Sequence, residues 1–407
     1  MFCNFDAKID DLRFDATTPM NRLSSILITL LLLIFLKASA AKPELNFSGQ
    51  VVMWTTASLE DPLLIQPGAR FVPTFTGKYS LRNSNLIDFE ASANINGSVT
   101  FENDVWADTV GVVKPYRVWM RYSGEKFDLR AGLQKINFGP AKMFRPLMWF
   151  DAMDIRDPLQ LTDGVYGILG KYFFDNNGSV WLWSMAGNKQ PKGFEVFGSV
   201  PGIPEFGGRF ELPLAGGEVG FAYHHRTLTQ QFNRIGIVTG DHRHVENRFG
   251  IHGRWDVEVG LWFEASASLI GENDLTSRYF PKKTDMINIG MDYTVPIGNG
   301  IGLTLEYFRY HNAEQLFTGG VEANVLGLMA SYPITLIDNI SAMFFYLPAG
   351  SNSMAMSYVS WSRSWDNFSL YLMAFLNPKS YQLPAMPAQG RNMFAGKGLQ
   401  VMGAYNF

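Results

Sequence analysis

Residues 86–101 read LIDFEASANINGSVTF. Asp88, Glu90, Ser92, Asn94, Asn96, Ser98 and Thr100 alternate with Ile87, Phe89, Ala91, Ala93, Ile95, Gly97, Val99 and Phe101. A period of two puts the first set on one face of a β-strand and the second on the other. Residues 257–269 repeat the pattern. Val257, Val259, Leu261, Phe263, Ala265, Ala267 and Leu269 alternate with Glu258, Gly260, Trp262, Glu264, Ser266 and Ser268. An average soluble strand has about five or six residues. These runs are longer, and a tilted strand of about 9–11 residues is what crosses a bilayer core.

Outward from these two runs the chain divides into 18 candidate strands, the fourth starting near residue 114 and the eleventh near 257. The links after even-numbered strands are short and built of turn residues. They are Arg82-Asn83-Ser84, Ser123-Gly124-Glu125-Lys126, Asp175-Asn176-Asn177-Gly178, Ala215-Gly216, Ile297-Gly298-Asn299-Gly300 and Ser364-Trp365-Asp366-Asn367. The links after odd-numbered strands are mostly longer: 57–69, 139–163, 188–206, 228–245, 271–284 and 377–396. A soluble sandwich has no reason to segregate its loops in this way. The layout predicts an all-β fold, a transmembrane antiparallel up-and-down β-barrel of about 18 strands, with 16 the alternative. Short turns would face the periplasm, long loops the exterior.

Composition agrees. The 407 residues carry a net charge of −3, are 47% hydrophobic and only 17% charged, and 14% are aromatic. Near-neutral charge argues against a nucleic-acid partner. The apolar content is too high for a disordered chain. One long apolar run, near the N-terminus, argues against a bundle of membrane helices. A barrel wall needs only average hydrophobicity, because every second residue faces lipid.

That N-terminal run has the form of an export signal. Met20-Asn21-Arg22 carries a positive charge, Ile26 to Leu36 is apolar except for Thr29, and Ala38-Ser39-Ala40 supplies small residues before a cleavage site at Ala41. Residues 1–19 contain four aspartates and fit no signal peptide, so they read as a miscalled start. The expected division is 1–19 upstream, 20–40 signal peptide and 41–407 a single outer-membrane barrel. The one cysteine, Cys3, lies upstream, so the barrel needs neither disulfides nor thiolate metal ligands.

The polar face of each strand lists the lumen candidates. On strands four to six they are Arg117, Arg121, Arg130, Gln134 and Lys171; on strands eleven to thirteen, Glu258, Glu264, Asp292 and Glu306. Strand three adds Asp88 and Glu90, and strand ten adds Arg248, His252 and Arg254. Basic and acidic strands on opposite sides would set a transverse field that aligns polar or zwitterionic solutes. Asp88 and Glu90 could instead brace the wall by pairing with Arg117 and Arg121. His224, His225, His242 and His244 lack a carboxylate-backed ligand spacing, so surface polarity is their reading. No metal, cofactor or catalytic residue is expected, since no Ser faces a His across strands and no phosphate-binding glycine loop occurs.

The link Gly139 to Gly164 reads GPAKMFRPLMWFDAMDIRDPLQLTDG. Met143, Phe144, Leu147, Met148, Trp149 and Phe150 need a surface to bury against, which an aqueous exterior does not offer. Lys142, Arg145, Asp151, Asp154, Arg156 and Asp157 supply charge of both signs. This loop is predicted to turn into the lumen.

At the other end, Leu399, Val401, Tyr405 and Phe407 fall on one face of the closing strand. The terminal Phe407, with Tyr405 two residues before it, resembles the C-terminal signature by which the barrel-assembly machinery reads outer-membrane barrels. Residues 129–139, LRAGLQKINFG, followed by Phe144-Arg145-Pro146 and Asp163-Gly164-Val165, are similar to the Arg-x-Gly-x-Gln-x-x-x-x-Gly strand-and-loop signature of 18-stranded porin-like and alginate-export-like barrels. The chain as a whole resembles a Gram-negative outer-membrane porin. The resemblance implies passive diffusion of small polar or charged solutes, with outer-membrane lipid around the wall and loop 139–163 as the constriction. Polysaccharide export and a non-conducting, surface-binding barrel are the alternatives. Polysaccharide export would call for aromatic stacking platforms and lumen charge of one sign.

Overall fold

The computed structural model describes residues 43–81, 84–230, 242–271, 282–348, 353–379 and 392–407. The expected signal segment and its cleavage site lie outside these residues, as do Arg82-Asn83 and residues 231–241, 272–281, 349–352 and 380–391. Eighteen strands are described. The first six are β1 (Glu44–Ser58), β2 (Leu64–Ser80), β3 (Leu86–Glu102), β4 (Val105–Ser123), β5 (Phe127–Gln134) and β6 (Val165–Phe173). Next come β7 (Ser179–Met185), β8 (Glu205–Leu214), β9 (Gly217–Gln230), β10 (His242–Asp256), β11 (Gly260–Ile270) and β12 (Lys283–Val295). The last six are β13 (Ile301–Ala313), β14 (Val321–Pro333), β15 (Asp338–Leu347), β16 (Met354–Ser364), β17 (Phe368–Leu376) and β18 (Lys397–Asn406).

Each strand pairs antiparallel with its chain neighbours, and β18 returns to pair with β1 from Gln50↔Asn406 to Ser58↔Gly398. The sheet is therefore a closed up-and-down barrel, which leaves no open sheet edge between its first and last strands. Beyond β18, Phe407 and Gly49 exchange both backbone hydrogen bonds at 3.0 Å, so the final residue takes part in closure.

The wall is inside-out relative to a soluble sheet. Ile289 is 57% exposed while its neighbour Asn288 is fully buried, and Leu182 is 64% exposed beside Trp183 at 3%. Leu399, Val401, Tyr405 and Phe407 share the outward apolar face, as the alternation predicts. An outward apolar face with polar groups turned inward is the arrangement hydrocarbon demands of a barrel.

All links after even-numbered strands are two to five residues long and share a rim with both barrel termini. Two early links after odd-numbered strands are shorter than expected. The link expected at 57–69 is only 59–63, and β4 starts at Val105 rather than near 114. Asn103 and Asp104 both have positive φ, 48° and 65°, so a two-residue hairpin joins β3 to β4. A second correction concerns Glu258. The alternation runs on through it, but Asp256 already pairs with Gly260, and residues 257–259 reverse the chain. Glu258 is exposed in that turn and is not on the wall.

Candidate functional site

The 30-residue link between β5 and β6, residues 135–164, is docked against the inner wall. Phe144 stacks on Phe308 of β13 at 5.3 Å and meets Phe345 of β15 edge-on at 5.5 Å. Phe150 packs on Trp183 of β7 at 5.3 Å. Eight strand spacings separate β7 from β15, roughly 38 Å along the wall. Two residues six apart in sequence reach at most about 21 Å. Only the concave side brings both strands within reach, so the loop lies inside the barrel. It also crosses the lumen. Leu159 packs on Val52 of β1 and Met402 of β18, and Asp157 pairs with Arg70 of β2 at 3.9 Å.

Two wall carboxylates hold it. Glu306 accepts the backbone N–H groups of Lys142 at 2.6 Å, Met143 at 3.0 Å and Phe144 at 2.9 Å. Glu264 accepts those of Ala141 at 2.7 Å and Leu147 at 3.1 Å. Asn288 donates to Glu306 at 3.0 Å and to the Phe144 carbonyl at 2.7 Å. Gly139 has φ +97°, and a Cβ there would run into the Glu264 carboxylate, so only glycine allows this approach. Charge-assisted bonds to backbone amides are the strong kind, and here both accepting carboxylates are fully buried.

The expected lumen charges thus divide into two groups. Glu264 and Glu306 are sealed beneath the loop and do not line water. Asp292 is paired with Lys142 at 2.6 Å. On the basic side, Arg117 is buried and donates to the Thr162 carbonyl at 2.7 Å, tying down the loop's far end. Gln134 is fully buried and donates to the Gly167 carbonyl at 3.0 Å. Arg121 makes a two-pronged bridge to Asp88, at 2.9 and 2.7 Å, so this pair braces the wall. Arg130 and Lys171 have no ion pair among the described residues; they lie on the faces of Trp119 at 4.4 Å and Trp181 at 3.6 Å.

The charged residues of the loop are mostly engaged within it or with the wall. Arg145 is buried and bonds to Asn137 Oδ1 and the Phe138 carbonyl. Asp154 and Arg156 pair with each other at 2.8 Å, and Arg156 covers the Phe394 ring at 4.5 Å. Asp151 is 2% exposed, and neither carboxyl oxygen has a hydrogen-bond partner among the described residues; Lys135 Nζ is 3.9 Å away. Burial pushes the Asp151 and Asp157 carboxyls above their ordinary range.

A second inward segment escaped the sequence reading. The link 186–204 places Phe194 against Phe308 at 5.8 Å and buries Glu195 between Arg226 at 2.9 Å and Arg248 at 3.0 Å. Arg226 and Arg248 also contact Glu246. Lys192 reaches Glu205 at 3.4 Å, and Glu205 bonds His224 at 3.2 Å. His224 is therefore fully buried, and His244 is buried as well, against the reading of surface polarity. The signal in sequence was weaker than that of 143–150: Phe194 and Phe197 call for cover, while Val196 is exposed.

No family model and no curated protein sequence matches the chain. Solved barrels do. Pseudomonas aeruginosa OccK5 (OpdH) superposes with a TM-score of 0.55 at 8% identity, covering 89% of this chain and 98% of that one. Acinetobacter baumannii OccAB4 gives 0.51 at 12%, covering 91% and 99%. Escherichia coli Wzi, described as an outer-membrane protein involved in group 1 capsule assembly and a carbohydrate-binding β-barrel, gives 0.50 at 11%, covering 96% and 89%. At these identities the likeness is one of fold: the chain is a porin-like 18-stranded barrel.

Proposed function

We propose that the protein is an outer-membrane channel for passive diffusion of small polar or charged solutes, narrowed by the inward loop expected at 139–163. The observation that carries this reading is the docking of that loop across the lumen on Glu264 and Glu306. In the same reading, residues 20–40 export the chain, and the closing strand with Tyr405 and Phe407 presents it to the barrel-assembly machinery. Its outward apolar face then meets outer-membrane lipid.

Selectivity follows from which charges remain free. The expected balance of acidic and basic walls is broken, because the loop amides occupy Glu264 and Glu306 while Lys142 neutralises Asp292. Arg130 and Lys171 form no ion pair among the described residues, although Asp128 stands across from Lys171. The remaining field is positive, which favours anionic or zwitterionic solutes over cations.

A second reading is a non-conducting, surface-binding barrel. It is favoured by the two apolar clusters that pack the loop against the wall, one around Phe308, Phe345 and Phe375, the other around Trp149, Phe150 and Trp183. Single-channel recording of the refolded barrel in a planar bilayer separates the two. A channel gives steady, anion-favouring conductance that grows when residues 143–157 are deleted. Folded protein that conducts neither with nor without the loop supports the second reading.

A further inference from the structure

The barrel wall steps down sharply beside β4. That strand has 19 residues, whereas β5, β6 and β7 have 8, 9 and 7. β4 pairs with β3 along its whole length, from Leu86↔Ser123 to Glu102↔Val105. It pairs with β5 only from Val118↔Leu133 to Ser123↔Asp128, because the chain leaves the wall after Gln134 to become the inward loop. Among the described residues, no strand pairs with β4 over residues 105–117 on the side away from β3. A tilted strand crosses a bilayer core in about 9–11 residues. Counted from Ser123, that length ends between Pro115 and Val113, so residues 105–112 stand beyond the core at the long-loop rim.

This edge is shaped to receive a strand. The Thr109 N–H donates to Asp108 Oδ1 at 2.8 Å, a side-chain acceptor in place of a strand carbonyl, so it faces the free side. Alternation turns the N–H and C=O of Gly111 to that side as well. Both faces of the strand are apolar: Val113 is 63% exposed on one and Val110 49% on the other. Proteins usually shield a bare edge with proline, a bulge or a free lysine. Residues 108–114, DTVGVVK, contain no proline and pair with β3 without a register shift, and Lys114 is engaged by Asp163 at 2.7 Å. A row of open amides and carbonyls on an extended backbone is complementary to another extended backbone. Asp104 and Asp108 make the tip of the edge acidic, which favours basic side chains on the incoming strand.

We propose that the free edge of β4 binds an extended segment of a partner polypeptide by strand addition. The segment carries apolar β-branched residues at alternate positions and basic residues toward the acidic tip. A second copy of this chain does not fit. Two barrels in one membrane share an orientation, so their β4 strands descend together and cannot pair antiparallel, and a wall tilt of about 35–45° sets them crossing. The site goes beyond the channel reading and does not depend on it, since a strand at the rim can be received by a conducting or a sealed barrel.

The test is fluorescence anisotropy of a labelled peptide of alternating valine and threonine, with lysine at both ends, titrated with the refolded full barrel. Two control peptides carry glutamate at the ends or N-methyl groups on alternate amides. The expected result is saturable binding of the lysine peptide, weaker binding of the glutamate peptide and none of the methylated one. Gly111→Pro removes an N–H that β3 does not use, so the wall should form while peptide affinity falls about tenfold. Thr109→Pro carries the same expectation should Gly111→Pro not fold, folding being read from heat-modifiable mobility. Absence of saturable binding overturns the proposal, as does equal binding of the methylated peptide or unaltered affinity in the folded variants. A parent barrel that is dimeric while Gly111→Pro is monomeric overturns it in favour of a second copy. Binding that is lost when the barrel is placed in vesicles of outer-membrane lipid overturns it in favour of lipid cover.

Discussion

Glu306 Oε2 accepts the backbone N–H of Phe144 at 2.9 Å, and the Phe144 ring stacks on Phe308, two residues further along the same face of β13. One loop residue is thus held by its backbone and by its side chain on adjacent inward positions of a single strand. The backbone bond sets the height of the loop in the barrel, and the ring buries the apolar surface that drives it inward.

Substituting Glu306 separates these contributions. Glu306→Ala leaves three loop amides without their acceptor, at about 1.5–3 kcal/mol for each charge-assisted bond lost. The barrel should still form, because wall pairing is untouched, while the loop becomes open to protease within 143–157. Limited proteolysis followed by mass mapping checks this. Equal protection of variant and parent would remove Glu306 as an anchor.

Loop docking should also depend on pH through Asp151. Its carboxyl lies near Lys135 Nζ, with Arg145 and Arg117 as the further basic influences on it, but it has no hydrogen-bond partner among the described residues, and burial raises its pKa. A raised carboxyl pKa means that the docked state holds the proton more tightly than the free loop. Its contribution is complete below the ordinary aspartate pKa of about 4 and is lost as pH rises through the raised value. Protection of the loop should fall with rising pH over that window, and Asp151→Asn should flatten the profile. Proteolysis rates across the window read both.

The free basic groups should set the sign of ion selectivity. Arg130→Gln with Lys171→Gln removes two charges that lie stacked on Trp119 and Trp181. Removing about 1 kcal/mol of solvent-screened attraction lowers anion preference roughly fivefold. The reversal potential in a salt gradient measures this. Lys126→Gln, at an exposed rim position paired with Asp175, should leave it unchanged.

Phe407 should matter for assembly more than for the finished wall. Its backbone closes β18 on Gly49, and its ring meets Phe47 at 5.9 Å and Phe71 at 6.4 Å. Phe407→Ala keeps the backbone bonds but loses the terminal aromatic. Expressed in cells, it should yield several-fold less heat-modifiable, membrane-inserted barrel, while the protein refolded in detergent reaches the parent's mobility. Reduced yield in both settings would assign Phe407 a packing role instead.

Much of this architecture was legible in the chain. Side-chain direction in a strand has period two, so Asp88 to Thr100 and Trp262 to Ser268 declare their inward face without reference to any other strand. Link lengths give the up-and-down order, because a tight turn can only join antiparallel neighbours. The places where the reading slipped are local. Asn103-Asp104 is a two-residue turn signal set inside a longer alternating stretch, and alternation through Val257-Glu258-Val259 continues where the chain reverses.

The roles of the inward charges depended on contacts between residues far apart in sequence. Period two places Glu264 and Glu306 on the inner face, but their use as loop anchors rests on meeting Ala141 and Lys142, 123 and 164 residues away. The same holds for Glu195, which is buried only because Arg226 and Arg248 come to it from two neighbouring strands. Face is a property of the local backbone, and alternation reports it directly. Whether a charge on that face meets water, a backbone amide or an opposite charge is set by where a long loop lands, and nothing in the spacing of neighbouring residues encodes that.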